Sequence, residues 1–129
     1  MRSVYSIEKL NIKTSIMKKF IVTYHAPIDA MQQTAESSKE DMEKGMEAWM
    51  LWAQKCGEQL VDFGTPLGNG QKLIPGGNSE SSERQVVGYS ILQSDSLEEA
   101  EGLLKDHPHL AWDAACEIEV HESLAVPGS

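Results

Sequence analysis

The chain is short of several things at once, and each shortage excludes something. It has two cysteines in 129 residues, Cys56 and Cys116. They are too few and too far apart for a disulfide framework or a zinc ribbon. They read as small, largely buried thiols of a cytoplasmic protein. No apolar run approaches the roughly 20 residues of a membrane-spanning helix. Residues 1–16 (MRSVYSIEKLNIKTSI) lack the apolar centre and small-residue cleavage site of a secretory signal. Basic residues are scarce: 11 Lys and Arg against 20 Asp and Glu give a formal charge of −9. Nucleic acid and anionic membranes are thereby disfavoured as partners, because phosphate contact needs clustered cations. The Gly-, Ser- and Asn-rich stretch 68–84 holds neither a P-loop nor a dinucleotide fingerprint. No Cys–His or Ser–His–Asp order suggests a nucleophile. Cys56 falls at the end of an expected helix, where the dipole opposes thiolate formation.

What is present reads as alternating strands and helices. Phe20, Val22 and Tyr24 alternate with Ile21, Thr23 and His25 up to Pro27, a β-branched and aromatic run that predicts a first strand. Both its faces are apolar enough for a central or doubly covered position. A loop over 26–36 follows. A capping box, Ser37 with Glu40 or Ser38 with Asp41, opens a helix over 38–56, and Gly57 stops it. Met42, Met46, Trp49, Met50 and Ala53 recur at helical spacing and predict its buried stripe, with Trp52 off the stripe. Leu60–Thr65 predicts a second strand, closed by Pro66. The long stretch after it has room for a bent hairpin around Leu73-Ile74. Val86–Gln93 is a third strand. Ser96 and Glu99 box the start of a second helix, with Leu97, Ala100, Leu103 and Leu104 on one face and Pro108 ending it. Glu117–Glu122 alternates, with Ile118 and Val120 inward and Glu117, Glu119 and His121 toward water.

The order β-α-β-β-α-β predicts an α+β, ferredoxin-like domain. It has a four-stranded antiparallel sheet with both helices on one face. The domain spans 17–124, between an extension at 1–16 outside the core fold and a tail at 125–129. Met17-Lys18-Lys19-Phe20 has the look of a natural chain start. Tyr24, Val61, Phe63, Val87 and Tyr89 are the candidates for the bare sheet face. An apolar face of that size calls for a partner. The simplest is a second copy, sheet against sheet, giving a homodimeric α+β barrel with a cavity between the sheets for a small-molecule ligand.

From Met17 to Glu122 the chain resembles the YCII-related family of small dimeric α+β-barrel proteins. Three stretches carry the likeness. The first is Met46–Trp52 running into Gly57 and then Asp62–Leu67. The second is Gly88–Gln93 followed by Ser96–Ala100. The third is Asp106–Leu110 with Ile118–Val120. The resemblance implies a dimeric ferredoxin-like barrel, usually without a bound cofactor, and an activity that is poorly defined. One branch is described with a His–Asp pair whose histidine lies early in the first helix. Positions 38–56 of this chain contain no histidine, and the Asp-Gly-Pro-Phe signature of another branch is absent. The acidic-x-Pro element after the second helix, here Asp106-His107-Pro108, is what carries over.

His107 is the first candidate for acid–base chemistry. Its imidazole titrates near neutrality, and Asp106 or Asp62 could orient it; the plainer alternative is a helix-capping histidine. Asp62 is an acid within a strand, a base if it faces the barrel interior and ordinary if it faces water. His25 ends the first strand, where the barrel mouth would lie. His109, Trp52, Tyr89 and Trp112 are candidates to line a ligand pocket, while Trp49 reads as core. His107 and His109 with His25 or His121 would make three imidazoles. Two histidines at i, i+2 across a proline are weak ligand spacing, so no metal is assigned. Two functions follow. One is a cofactor-independent enzyme moving protons on a small, fairly apolar substrate between the sheets. The other is a non-catalytic homodimeric ligand-binding or interaction module. A haem- or quinone-handling barrel shares the fold, but no axial ligand can be placed.

Overall fold

A computed structural model of the chain describes residues 17–27, 36–83 and 85–128. The extension at 1–16 and most of the 26–36 loop lie outside the described residues. The elements are β1 (Lys18–His25), α1 (Lys39–Cys56), a 3-10 turn (Gly57–Gln59), β2 (Leu60–Asp62), β3 (Gln71–Leu73), β4 (Ser79–Ser81), β5 (Val86–Ser94), α2 (Leu97–Leu104), α3 (His109–Trp112) and β6 (Glu117–Glu122). Four strands form one sheet in the order β2-β5-β1-β6, with every neighbouring pair antiparallel. The protein is a mixed α+β fold on that sheet. The stretch after β2 makes a separate hairpin, β3 with β4, in which Lys72 pairs with Glu80 at 2.9 Å.

Strand alternation decides which side is covered. Phe20, Val22 and Tyr24 of β1 and Leu92 of β5 are buried with Trp52 and Cys56 of α1 and Ala100 and Leu104 of α2. Ile118 and Val120 of β6 pack against that cluster. Both helices therefore sit on one face. The other carries Ile21, Thr23 and His25 of β1, Tyr89 and Ile91 of β5, and Glu117, Glu119 and His121 of β6, across from each other in register.

Helix ends follow their side chains. The α1 cap is Ser38, whose Oγ accepts from the Asp41 amide at 3.1 Å, and Ser96 does the same for Glu99 at 3.1 Å. At the far end of α1, Gly57 takes φ 57° and its amide reaches Ala53 O.

Three sequence expectations change. The α1 stripe is rotated: Met42, Met46 and Met50 are exposed, and the buried positions are Trp52 and Cys56, with Trp49 and Ala53 partly covered. Methionines at four-residue spacing fit either side of the helix. One indole fixes the choice, because Trp52 Nε1 donates to Leu103 O at 2.8 Å across the α1–α2 junction. Second, Tyr24 shares the parity of Phe20 and Val22 and lies under the helices instead of on the bare face. Third, β2 stops at Asp62. Leu60 pairs with Leu92 but Asp62 pairs with Ile91, so the strand is irregular at Val61. That slip leaves Asp62 on the open side and returns Phe63 to the helix side, where it meets Trp49 at 6.2 Å. Val87 likewise packs against the core. Gly64 then turns the chain at φ 82°; a Cβ there would sit 1.7 Å from Tyr89 O, so only glycine lets this turn press against β5.

Candidate functional site

The chemistry-bearing residues fall into two groups on opposite faces of the sheet. The first is buried. Pro108 starts the short α3, and the His107 amide closes the end of α2 by donating to Leu104 O at 3.1 Å. This turn tucks both neighbouring histidines inward. His107 is 1% exposed. Its ring lies 4.4 Å from those of both Trp49 and Trp52 and 4.9 Å from that of Tyr24, centroid to centroid. Nδ1 accepts the His109 amide at 2.9 Å, which puts the ring proton on Nε2. That Nε2 is buried with no hydrogen-bond partner among the described residues. Burial, helped by the nearby His109, lowers the His107 pKa from 6.5 to about 3. The ring is thus a neutral core group at physiological pH.

His109 is a tether. Its Nε2 donates to His25 O at 2.8 Å, fastening α3 to the end of β1. Burial depresses its pKa, opposed by main-chain hydrogen bonds at His25 and Glu117. The Tyr24 hydroxyl donates a hydrogen bond to Ser90 Oγ at 2.8 Å, and Ser90 donates to Phe63 O at 2.7 Å, so both buried hydroxyls are satisfied. Burial holds the Tyr24 phenol well above its usual range. Asp106, the sequence candidate to orient His107, instead points to solvent near Lys55 at 3.9 Å. Burial also pushes both cysteine thiols up, which disfavours the thiolate at Cys56 and Cys116, both free and buried.

The second group lies on the open face. Asp62 Oδ1 accepts the Gly64 amide at 2.8 Å, and Oδ2 faces the Tyr89 hydroxyl at 3.3 Å. The carboxylate beside it raises the Tyr89 phenol pKa. Thr23 sits directly across from Tyr89, and its Oγ1 is hydrogen-bonded to His25 Nε2 at 2.9 Å. On the next strand Glu119 pairs with Thr23, and His121 Nε2 meets Glu119 Oε1 at 3.0 Å. A row of carboxylate, phenol, hydroxyl and imidazole therefore crosses all four strands, with Ile21 and Ile91 beside it. Such groups, half in water, can bind a polar substituent and exchange protons with it.

Of the seven sequence candidates, Asp62, His25 and Tyr89 share the open face. His107, His109 and Trp52 lie under the helices. Trp112 is partly exposed, with its ring 5.8 Å from His109. The expected alliance of His107 with Asp62 or His25 across an inter-sheet pocket is not formed, because the sheet stands between them. Trp52 floors a different feature, an open groove of about 270 Å³ lined also by Ala48, Leu51, Lys55, Asp106 and Pro108. Thr23 and Glu119 were missed. Strand parity links each to a histidine two residues away, but only the β1–β6 pairing shows that the two strands are neighbours.

Among the described residues no group of three or more His, Cys, Asp or Glu is arranged to hold a metal ion, and no helix is long and apolar enough to cross a membrane. The fold and site define the class as an α+β protein with one polar sheet face that no helix among the described residues covers. Comparison with protein-family models and with curated proteins finds no match.

Proposed function

We propose that this chain is a ferredoxin-like, YCII-related protein that pairs sheet to sheet as a homodimeric α+β barrel and uses the enclosed space as a small-molecule site. The observation that carries the reading is the make-up of the open face. Ile21 and Ile91 pair as the small apolar part of an otherwise polar face, and the Asp62–Tyr89 and Thr23–His25 pairs would give an enclosed space groups to act with. The strand order β2-β5-β1-β6 supports the ferredoxin-like part. Two free thiols accord with a cytoplasmic location.

In this reading the proton-transfer group is His25, with Thr23 fixing its Nε2 and His109 anchoring its main chain. Tyr89 and Asp62 hold a carbonyl, hydroxyl or carboxyl substituent of a small, fairly apolar substrate, and no cofactor is invoked. His107 passes from reacting group to core support. The test is light scattering with a thermal-shift screen of small carboxylic acids, lactones and aromatic metabolites. A dimer mass in the wild type, a monomer in Ile91→Glu, and a ligand shift lost in His25→Ala but kept in Trp112→Ala would support the proposal. A wild-type monomer at micromolar concentration would sink it.

The second reading, a non-catalytic homodimeric binding or interaction module, has one observation in its favour. The histidine pair that the sequence offers most prominently is locked in the core as a neutral support. A dimer that binds ligand through Tyr89 and Asp62 with unchanged affinity in His25→Ala, and turns nothing over, would select it.

A further inference from the structure

α1 carries Met42, Met46 and Met50 in a single row, each one turn further along, with 55%, 56% and 46% of their surfaces exposed. Half of the chain's six methionines stand in this row, which is about 12 Å long. The core face of the helix is carried by Trp52, Cys56, Trp49 and Ala53, so among the described residues the row lies outside the core packing. The adjoining row toward solvent runs Lys39, Glu43, Glu47, Leu51, all exposed, and its two acids follow Met42 and Met46 by one residue, with the single lysine at the helix start. Lys44 is committed elsewhere on the helix, 3.7 Å from Glu40.

We propose that this row is a docking site for a cationic amphipathic helix of a partner protein. Unbranched thioether side chains repack around apolar groups of different shapes, which suits a surface that must accept a helix ridge. A partner helix would lay anchors at i, i+3 or i+4 and i+7 along the methionines. Its lysines or arginines would then meet Glu43 and Glu47, and the net charge of −9 would speed the encounter. A second copy of this chain fits the row worse. Two α1 helices crossing on their methionines would set the same glutamates against each other, at a cost in like-charge repulsion. The row is not part of the sheet face, so the inference stands whether or not the sheets pair.

The test uses the full chain and a labelled helical peptide of about 14 residues, built from leucine and lysine with the leucines on one face. A second peptide has the same composition with the leucines scattered. Fluorescence anisotropy should give micromolar binding of the first peptide, weaker by at least about tenfold for the scattered one. The triple variant Met42→Gln, Met46→Gln, Met50→Gln keeps good helix formers at exposed positions and should fold, as circular dichroism would verify. It should lose about tenfold or more in affinity, and Glu43→Gln with Glu47→Gln should lose most of the salt dependence. Equal binding by the triple variant, equal binding of the scattered peptide, or no binding at about 100 µM would overturn the proposal. So would a fall in oligomer mass in the triple variant, which would make the row a self-interface.

Discussion

The two faces of the sheet hold the same side chain in opposite circumstances. On the covered face, His107 is wrapped by Trp49, Trp52 and Tyr24, with one ring nitrogen accepting a main-chain amide and the other without a partner among the described residues. On the open face, His25 and His121 keep polar partners, Thr23 and Glu119, at the water boundary. A histidine's presence near a proline or strand end says little about its chemistry. Its solvent and its second nitrogen decide whether it is a proton carrier or a wedge of core.

The largest expected effect lies in the covered region. Trp52→Ala removes the indole that fixes the rotation of α1, its hydrogen bond to Leu103 O, and one wall of the box around His107. A loss of about 3–5 kcal/mol is expected from urea unfolding, the range for a buried tryptophan truncated in a core. Met46→Ala on the same helix should cost well under about 1 kcal/mol, since its side chain is exposed. If the two changes cost the same, the contrast between the helix faces is wrong.

Acid should then test the covered histidines. His107 has a folded pKa of about 3 against an ordinary 6.5. Below pH 6.5 the unfolded chain takes up a proton that the folded chain refuses. Stability therefore falls as pH drops from about 6.5 toward 3, by up to about 1.4 kcal/mol per pH unit for this group. The lowered His109 acts in the same direction. Unfolding midpoints measured from pH 7 to 4 should flatten in His107→Leu, which also removes the bare Nε2.

Next in size is the hydroxyl relay. Ser90→Ala strips the Tyr24 hydroxyl of its acceptor and Phe63 O of its donor. Leaving such groups buried and unsatisfied costs about 1–3 kcal/mol. Tyr24→Phe in the Ser90→Ala background should recover part of that loss, a double-mutant test of whether the relay is one unit.

These contrasts also mark how far the sequence could be read. The alternation in Phe20–His25 and Glu117–Glu122 and the serine caps gave the strands and helix starts, because those signals are local, although the first helix uses the alternative register, Ser38 with Asp41, and not Ser37 with Glu40. The rotation of α1 was hidden: the methionine row matched a helical period as well as the true face did, and only the fit of Trp52 to α2 separates them. The site was half legible. Asp62, His25 and Tyr89 could be picked by residue type, but a one-residue irregularity at Val61 decides the side on which Asp62 stands. The burial of His107 depends on how the Pro108 turn folds back under α1, a tertiary outcome with no local code.

The smallest effect on stability should come from the open face and still be informative. Asp62 is held twice, by the Gly64 amide and by Tyr89. Tyr89→Phe removes one exposed hydrogen bond and leaves the carboxylate in place, so the unfolding midpoint should not move measurably. The phenol itself reports the pair. The Asp62 carboxylate raises the Tyr89 pKa above its ordinary 10.0, because a phenolate beside an anion is disfavoured. Ultraviolet titration of the chain should show a tyrosine component, absent in Tyr89→Phe, that ionises above the ordinary value and falls back toward it in Asp62→Asn. No movement in Asp62→Asn would mean that the two groups do not face each other in solution. The polar row would then lose its carboxylate end, leaving His25 and Thr23 without the neighbour that the proposed substrate contact needs.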